Sequence, residues 1–105
     1  MAEVSTVARP YAKAAFEYAQ EKALLTQWSD MLATASAVAP NSDMRNVLDN
    51  PSLTSEQKAS IFVDVCGSDL GSDAKNFVSG LAEHKRLAAL PMIAEMFEEL
   101  KAAKD

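Results

Sequence analysis

Apolar residues recur along this chain at three- and four-residue intervals, which is the spacing of one face of an α-helix. Between Leu25 and Ala39 the alternation is regular. Alanine, the best helix former, occurs nineteen times, whereas Val, Ile and Thr together occur thirteen times. Three glycines supply little of the turn chemistry that a β-sandwich needs. The sequence therefore predicts an all-α fold.

A change in the phase of this pattern near Glu21-Lys22 separates the first two predicted helices. The first begins at Ser5-Thr6, with Pro10 still near its start. It is apolar on two faces, so it requires two sets of packing partners. The second helix ends at or just before Pro40, because proline disfavours the α conformation in the residue that precedes it.

Capping residues mark the third and fourth helices. Asn41 or Ser42 can cap a short third helix. Thr54 and Gln57 have the spacing of a capping box, and Gly67 is a natural end for the fourth helix. The residues of this fourth helix that we expect to face inward are Ala59, Phe62, Val65 and Cys66.

The fifth helix starts after Gly71 and runs to about His84. The sixth begins within Leu87–Leu90, because Pro91 is tolerated only in the first turn of a helix. Six helices with short connections imply a compact bundle. We therefore predict an all-α, compact six-helix bundle that forms a single domain over residues 1–105.

Size and charge exclude several classes of protein. A chain of 105 residues fits one domain, which can bury ~60–70% of its unfolded surface. Its net charge of -5 argues against nucleic-acid binding, which depends on basic residues. One Cys excludes an intrachain disulfide, and one Cys with one His argues against a zinc site built from this chain alone. We expect no metal, no cofactor, no signal peptide and no direct membrane insertion.

Residues that could carry catalysis have simpler interpretations. His84 lies at a predicted helix end, where a cation is favoured by the helix dipole, and the sequence identifies neither a nucleophile nor an orienting carboxylate for it. Cys66 falls on an apolar helix face, where cysteine behaves as a small buried hydrophobe. No glycine-rich phosphate loop is present. We expect no catalytic residue in this chain.

Two features suggest a surface for another helix. On the first helix, Tyr11 and Tyr18 flank the small residues Ala14 and Ala15, which makes a hollow between two ridges. Gly80 lies inside the fifth helix, at a cost of ~1 kcal/mol relative to Ala, and such a glycine often marks the close approach of another backbone. Packing within the bundle explains both features equally well, so the residues alone leave the choice open.

The segment from Val7 to Phe16, with sequence VARPYAKAAF, resembles the opening of the delta-subunit family of bacterial rotary ATP synthases, the counterpart of the mitochondrial oligomycin-sensitivity-conferring protein. Further similarities follow in register at Trp28–Leu32, Phe62–Gly67 and Asn76–Phe97. The resemblance therefore covers essentially the whole chain. Lys85 departs from it, because the family often carries a turn residue at this position, near the end of the fifth helix.

The resemblance implies a non-catalytic adapter of the stator. In this family an N-terminal six-helix domain binds the N-terminal helices of α subunits at the top of the catalytic head, and a C-terminal domain binds the b subunits of the peripheral stalk. The complex would lie peripherally at the cytoplasmic face of the bacterial inner membrane. The chain ends along its predicted last helix, so we expect the second domain to be absent from this fragment.

The family's α-binding groove lies between the first and fifth helices, and the resemblance places it on the two features left open above. The residues that it implies for the groove are Val7, Tyr11, Ala14, Ala15, Tyr18, Phe77, Gly80, Leu81 and His84. An alternative is an unrelated helical interaction module that binds an amphipathic helix. A small cofactor-independent enzyme is a further alternative, which would require a pocket with convergent polar groups.

Overall fold

The structure is a computed structural model that describes the backbone of residues 2–67 and 71–104 and the side chains of residues 6–67 and 71–103. Six α-helices and one short 3-10 helix follow one another over these residues, which confirms the all-α prediction. The helices are α1 (Ala2–Glu21), α2 (Leu25–Val38), α3 (Ser42–Leu48), α4 (Ser55–Cys66), α5 (Ser72–Glu83) and α6 (Leu90–Lys104), with the 3-10 helix at Leu87–Ala89.

The start of α1 differs from the prediction. The helix begins at Ala2 rather than at Ser5-Thr6, so Pro10 lies in its interior. An interior proline lacks one helical N–H donor and crowds the carbonyl group four residues earlier. The helix continues through Pro10 because one face of α1, from Ala8 to Ala19, is buried in the core. Packing of this face offsets the missing hydrogen bond, and the sequence pattern did not reveal that balance.

The core is formed where α1 and α2 pack on α6 and where α4 packs on α5. Phe16 of α1 meets Phe97 of α6 edge-on, with ring centroids 5.8 Å apart. The largest fully buried side chains are Phe62, Phe97, Leu32, Leu81, Leu90, Ile93 and Val78. No helix among the described residues combines the length and the apolar character that crossing a membrane requires.

Both predicted helix caps are confirmed. The side chain of Asn41 accepts hydrogen bonds from the backbone N–H groups of Asp43 and Met44, at 3.0 and 3.3 Å. Thr54 and Gln57 form the reciprocal capping box, with N···O distances of 3.0 and 2.9 Å. Each cap satisfies backbone donors that the first turn of a helix otherwise leaves unpaired.

The C-terminal end of α1 adopts a Schellman motif without a glycine. The N–H of Leu24 donates to the carbonyl oxygen of Ala19 at 2.7 Å, and the N–H of Ala23 donates to that of Gln20 at 3.2 Å. This geometry places Ala23 in the left-handed region, at φ 59°. Most helices that end in this way have glycine at this position, because a Cβ atom makes the conformation costly.

Helix α5 ends in the same motif. The N–H of Arg86 donates to the carbonyl oxygen of Leu81 at 2.7 Å, and Lys85 is left-handed at φ 58°. This conformation explains why a turn residue suits the position of Lys85. The predicted end of the helix near His84 is confirmed, since His84 is its C-cap residue.

Val65 is a correction to the predicted core. Ala59, Phe62 and Cys66 of α4 are buried as expected, but Val65 is 58% exposed. At 100° per residue, Val65 lies about 60° from Phe62, on the side away from Ala59 and Cys66. It therefore sits at the edge of the apolar face, and the neighbouring helices do not cover it.

Candidate partner-binding groove between α1 and α5

An open cavity of about 450 Å³ lies between the C-terminal half of α1 and the N-terminal half of α5. Four of the residues that the sequence placed in a groove line it together. The complete lining is Ala14, Ala15, Tyr18, Trp28, Asp73, Asn76 and Phe77. The structure thus brings the two predicted faces to one surface.

The two faces of α1 have different roles. Ala8, Ala12 and Ala19 are almost fully buried in the core, whereas Ala14 is exposed in the cavity. Ala15 lies between these positions: it lines the cavity but is only 2% exposed. Because Ala14 and Ala15 have only methyl side chains, they fill little of the cavity.

Aromatic rings from three helices form one side of the cavity. Trp28 of α2 packs between Tyr18 of α1 and Phe77 of α5, with ring centroids 5.4 Å away in both cases. Tilted and edge-on contacts of this kind contribute roughly 0.5–1.5 kcal/mol each beyond the buried area. Trp28 of α2 therefore links α1 and α5 through its ring contacts, although it was not among the predicted groove residues. The available signal was its position, in the first turn after the α1–α2 connection.

A polar contact joins two residues of the cavity lining. The hydroxyl group of Tyr18 donates a hydrogen bond to the carboxylate of Asp73 in the first turn of α5. This bond, followed by partial burial and the nearby charges of Asp73 and Glu21, raises the pKa of the Tyr18 phenol above its ordinary value. Asp73 was not among the predicted site residues, because nothing in the sequence pairs it with a residue 55 positions earlier.

A direct contact joins the two helices, from Tyr18 near the end of α1 to Asp73 in the first turn of α5. Ala14 and Phe77 line the same cavity. Val7 lies on the same face of α1, seven residues before Ala14, and is half-buried.

Of the other predicted groove residues, Tyr11 is half-buried against the core, on the turn of α1 that precedes Ala14. Leu81 is fully buried, so its side chain supports the groove from the core and offers no surface to a partner. Gly80 is half-buried, and a Cβ atom placed on it would meet no heavy atom of the described residues within 4 Å. Packing within the described part of the bundle therefore makes no use of the missing side chain.

His84 is exposed, and its ring Nδ1–H donates to the carbonyl oxygen of Gly80 at 3.0 Å. It thus caps the last turn of α5, as expected of a residue at a helix end. Cys66 is buried as predicted, and burial raises the pKa of its thiol.

The groove offers methyl groups and aromatic rings, with one carboxylate and one amide among its lining residues. Over the described side chains, no polar or charged residue is buried, and no three His, Cys, Asp or Glu residues converge in a way that could hold a metal ion. Such a surface is suited to burying the apolar face of a helix.

Comparison with known proteins gives a consistent result. A family model described as "ATP synthase delta (OSCP) subunit" matches residues 7–105. A protein of Hahella chejuensis named "ATP synthase subunit delta" is 52% identical over all 105 residues, and its namesake in Hydrogenovibrio crunogenus is 50% identical over the same span. The Alcanivorax borkumensis protein of that name is 50% identical over 102 residues, or 97% of this chain. The chain spans 59%, 59% and 57% of the lengths of these relatives.

Proposed function

Because the chain belongs to the ATP synthase delta (OSCP) subunit family, we propose that it is the helical domain of a delta subunit that binds the N-terminal helix of an α subunit in the groove between α1 and α5. Its role is structural and not catalytic. Because the chain belongs to this family, we no longer consider the alternative of an unrelated interaction module.

The observation that carries this proposal is the groove itself. An open cavity lined by Ala14, Ala15 and the aromatic rings of Tyr18, Trp28 and Phe77 lies between α1 and α5. An amphipathic helix can lay its apolar side chains into such a hollow, with aromatic residues as anchors. Both tyrosines and Phe77 combine a large area with few rotatable bonds, which limits the entropy lost on binding.

The predicted residues Val7, Tyr11 and His84 extend the proposed site beyond the cavity lining. Val7 lies on the same face of α1 as Ala14, and Tyr11 lies one turn before Ala14. His84 is exposed at the end of α5. We include them in the site because the resemblance to the family places the α-binding groove on these residues.

Gly80 supports the same site. Its bare backbone is half-buried, and the described residues leave open the space that a side chain would occupy. The sequence allowed two explanations for this glycine, close packing inside the bundle or close approach of a partner. Since no described atom of the chain uses that space, a partner backbone is the explanation that we propose.

The remainder of the role follows from the family. The relatives extend well beyond the span of this chain, and we propose that their further residues include the domain that binds the b subunits. In that arrangement the delta subunit joins the peripheral stalk to the α3β3 head, as part of the stator. The complex would be peripheral to the cytoplasmic face of the bacterial inner membrane.

Trp28 provides the experiment. It is the only tryptophan, it lines the groove, and it is 6% exposed. We would titrate the domain with a synthetic peptide of the α-subunit N-terminus and follow Trp28 fluorescence, with calorimetry in parallel. Saturable one-to-one binding is expected. No fluorescence change together with no heat of binding would overturn the proposal.

A charge placed in the groove tests its position. We expect Ala14→Asp to weaken peptide binding at least a hundredfold, because docking would desolvate a carboxylate that has no partner, at a cost of several kcal/mol. Ala14 is exposed, so the variant should keep its helical circular dichroism and its unfolding midpoint. Ala33→Asp, on the exposed surface of α2 and outside the groove lining, is the matched control. Equal binding by both variants would show that the groove is placed wrongly.

A further inference from the structure

We propose that Trp28 of α2 is a positioning residue, which sets the distance between the α1 and α5 walls of the groove. This inference rests on the proposed function and adds how the site is kept ready to receive a helix. The Trp28 ring offers a partner almost no surface of its own, since the residue is 6% exposed. Its effect on binding therefore acts through Tyr18 and Phe77, the groove residues that the ring contacts.

The two walls of the groove belong to different parts of the bundle. Over the described residues, α1 packs chiefly on α6, whereas α5 packs chiefly on α4. Helix α5 does not pack closely on α1 or on α2 over these residues. Packing of one wall directly on the other therefore does not determine the width of the groove.

Side chains bridge the two walls instead. The Trp28 ring contacts the rings of both Tyr18 and Phe77, with ring centroids 5.4 Å away in each case. The hydroxyl group of Tyr18 also donates to the carboxylate of Asp73, but this bond is exposed, and water competes for both groups. The buried indole is the bridge that keeps a constant length, because a closely packed interior leaves a side chain little freedom.

A constant separation of the walls favours binding, because the groove then needs no ordering when its partner docks. A smaller side chain at position 28 would leave a void between Tyr18 and Phe77. The walls would then move together or lose their constant separation. Either change makes the groove fit the docked helix less well.

The separation of the walls can be measured without a partner. Nitroxide labels at Lys13→Cys of α1 and Ser79→Cys of α5, in a Cys66→Ala background, report this distance by double electron–electron resonance. Both labelled positions are exposed and lie outside the cavity lining. We expect Trp28→Leu to shift or broaden the distance distribution, and Trp28→Phe, which keeps a ring, to do so less.

Phe97→Leu is the matched control. Phe97 is fully buried and makes an edge-on ring contact, but that contact joins α6 to Phe16 of α1, and Phe97 does not line the groove. The control variant loses a core ring as Trp28→Leu does, so both variants lose stability through a void. Phe97→Leu should nevertheless leave the separation of the walls unchanged.

The same substitutions are then compared for binding of the α-subunit N-terminal peptide by calorimetry. The temperature is chosen so that circular dichroism shows every variant fully folded, because an unfolded fraction would lower the apparent affinity. We expect Trp28→Leu to weaken binding roughly five- to tenfold and Trp28→Phe roughly two- to threefold, within the range that one ring contact contributes. Phe97→Leu should bind as the wild type does. Trp28→Phe decides the question if Trp28→Leu does not fold.

The outcomes separate the two proposals. The positioning inference is overturned if the Trp28 variants keep the wild-type distance distribution, or if they bind the peptide with wild-type affinity. It is also overturned if Phe97→Leu changes both quantities as much as they do. If the wild-type domain fails to bind the peptide, the proposed function is overturned, and the distance measurement still decides whether Trp28 sets the separation of the walls.

Discussion

Replacing Ala23 by glycine should stabilise this protein, although alanine-to-glycine changes usually weaken helical proteins. Ala23 follows α1 in the left-handed conformation, at φ 59°, and its side chain is exposed. A Cβ atom in this conformation costs about 1–2 kcal/mol. The Ala23→Gly change removes that cost and loses no packing contact of a buried side chain.

The net gain is smaller than the relief of strain. Glycine also makes the unfolded chain more flexible, which offsets about 0.4–1 kcal/mol. The expected increase in the free energy of unfolding is therefore about 0.5–1 kcal/mol. For a domain of this size that raises the unfolding midpoint by roughly 2–8 °C.

Thermal unfolding followed by circular dichroism and urea titration of the same samples would measure the change. The urea m-value should stay constant, which shows that the stability changed and not the surface exposed on unfolding. Ala33→Gly, at an exposed interior position of α2, is the matched control and should cost about 1 kcal/mol. If Ala23→Gly destabilises the protein as much as the control does, Ala23 does not adopt the left-handed conformation at the end of α1.

Two further predictions concern a helix cap and a thiol. Thr54→Ala removes one side of the α4 capping box and should lower the free energy of unfolding by about 1 kcal/mol, measured by urea titration. Thr26→Ala, which changes a threonine that caps no helix, is the control. Cys66 is buried and its thiol pKa is raised, so less reactive thiolate is present at pH 8 and labelling by a thiol reagent should be much slower in the folded than in the urea-unfolded protein. Equal rates would contradict its burial.

Local features of this chain could be predicted because they depend on residues within one helical turn. The Asn41 cap and the Thr54–Gln57 capping box each join backbone and side-chain groups at most three residues apart. The end of α4 at Gly67 needs only one glycine, at φ 93°. The inward faces of most helices likewise follow from the 3.6-residue period.

For residues at the edge of an apolar helix face, the helical period does not determine whether the side chain is buried. Val65 lies about 60° from Phe62 and was predicted to be buried, yet it is 58% exposed. Leu81 was placed in the groove, yet its side chain is fully buried in the core. Periodicity gives the direction of a side chain, but the positions of the other helices decide whether that direction is core, groove or solvent.

The sequence by itself determined an all-α chain, the ends of most helices and the presence of two apolar faces on α1. Only the tertiary structure decided that the face containing Ala14 meets α5 across an open groove. The contacts that define the groove, from Tyr18 to Asp73 and from Trp28 to Phe77, join residues that are about fifty positions apart. Such contacts depend on how three separate helices pack together, and helical period and capping carry no information about that arrangement.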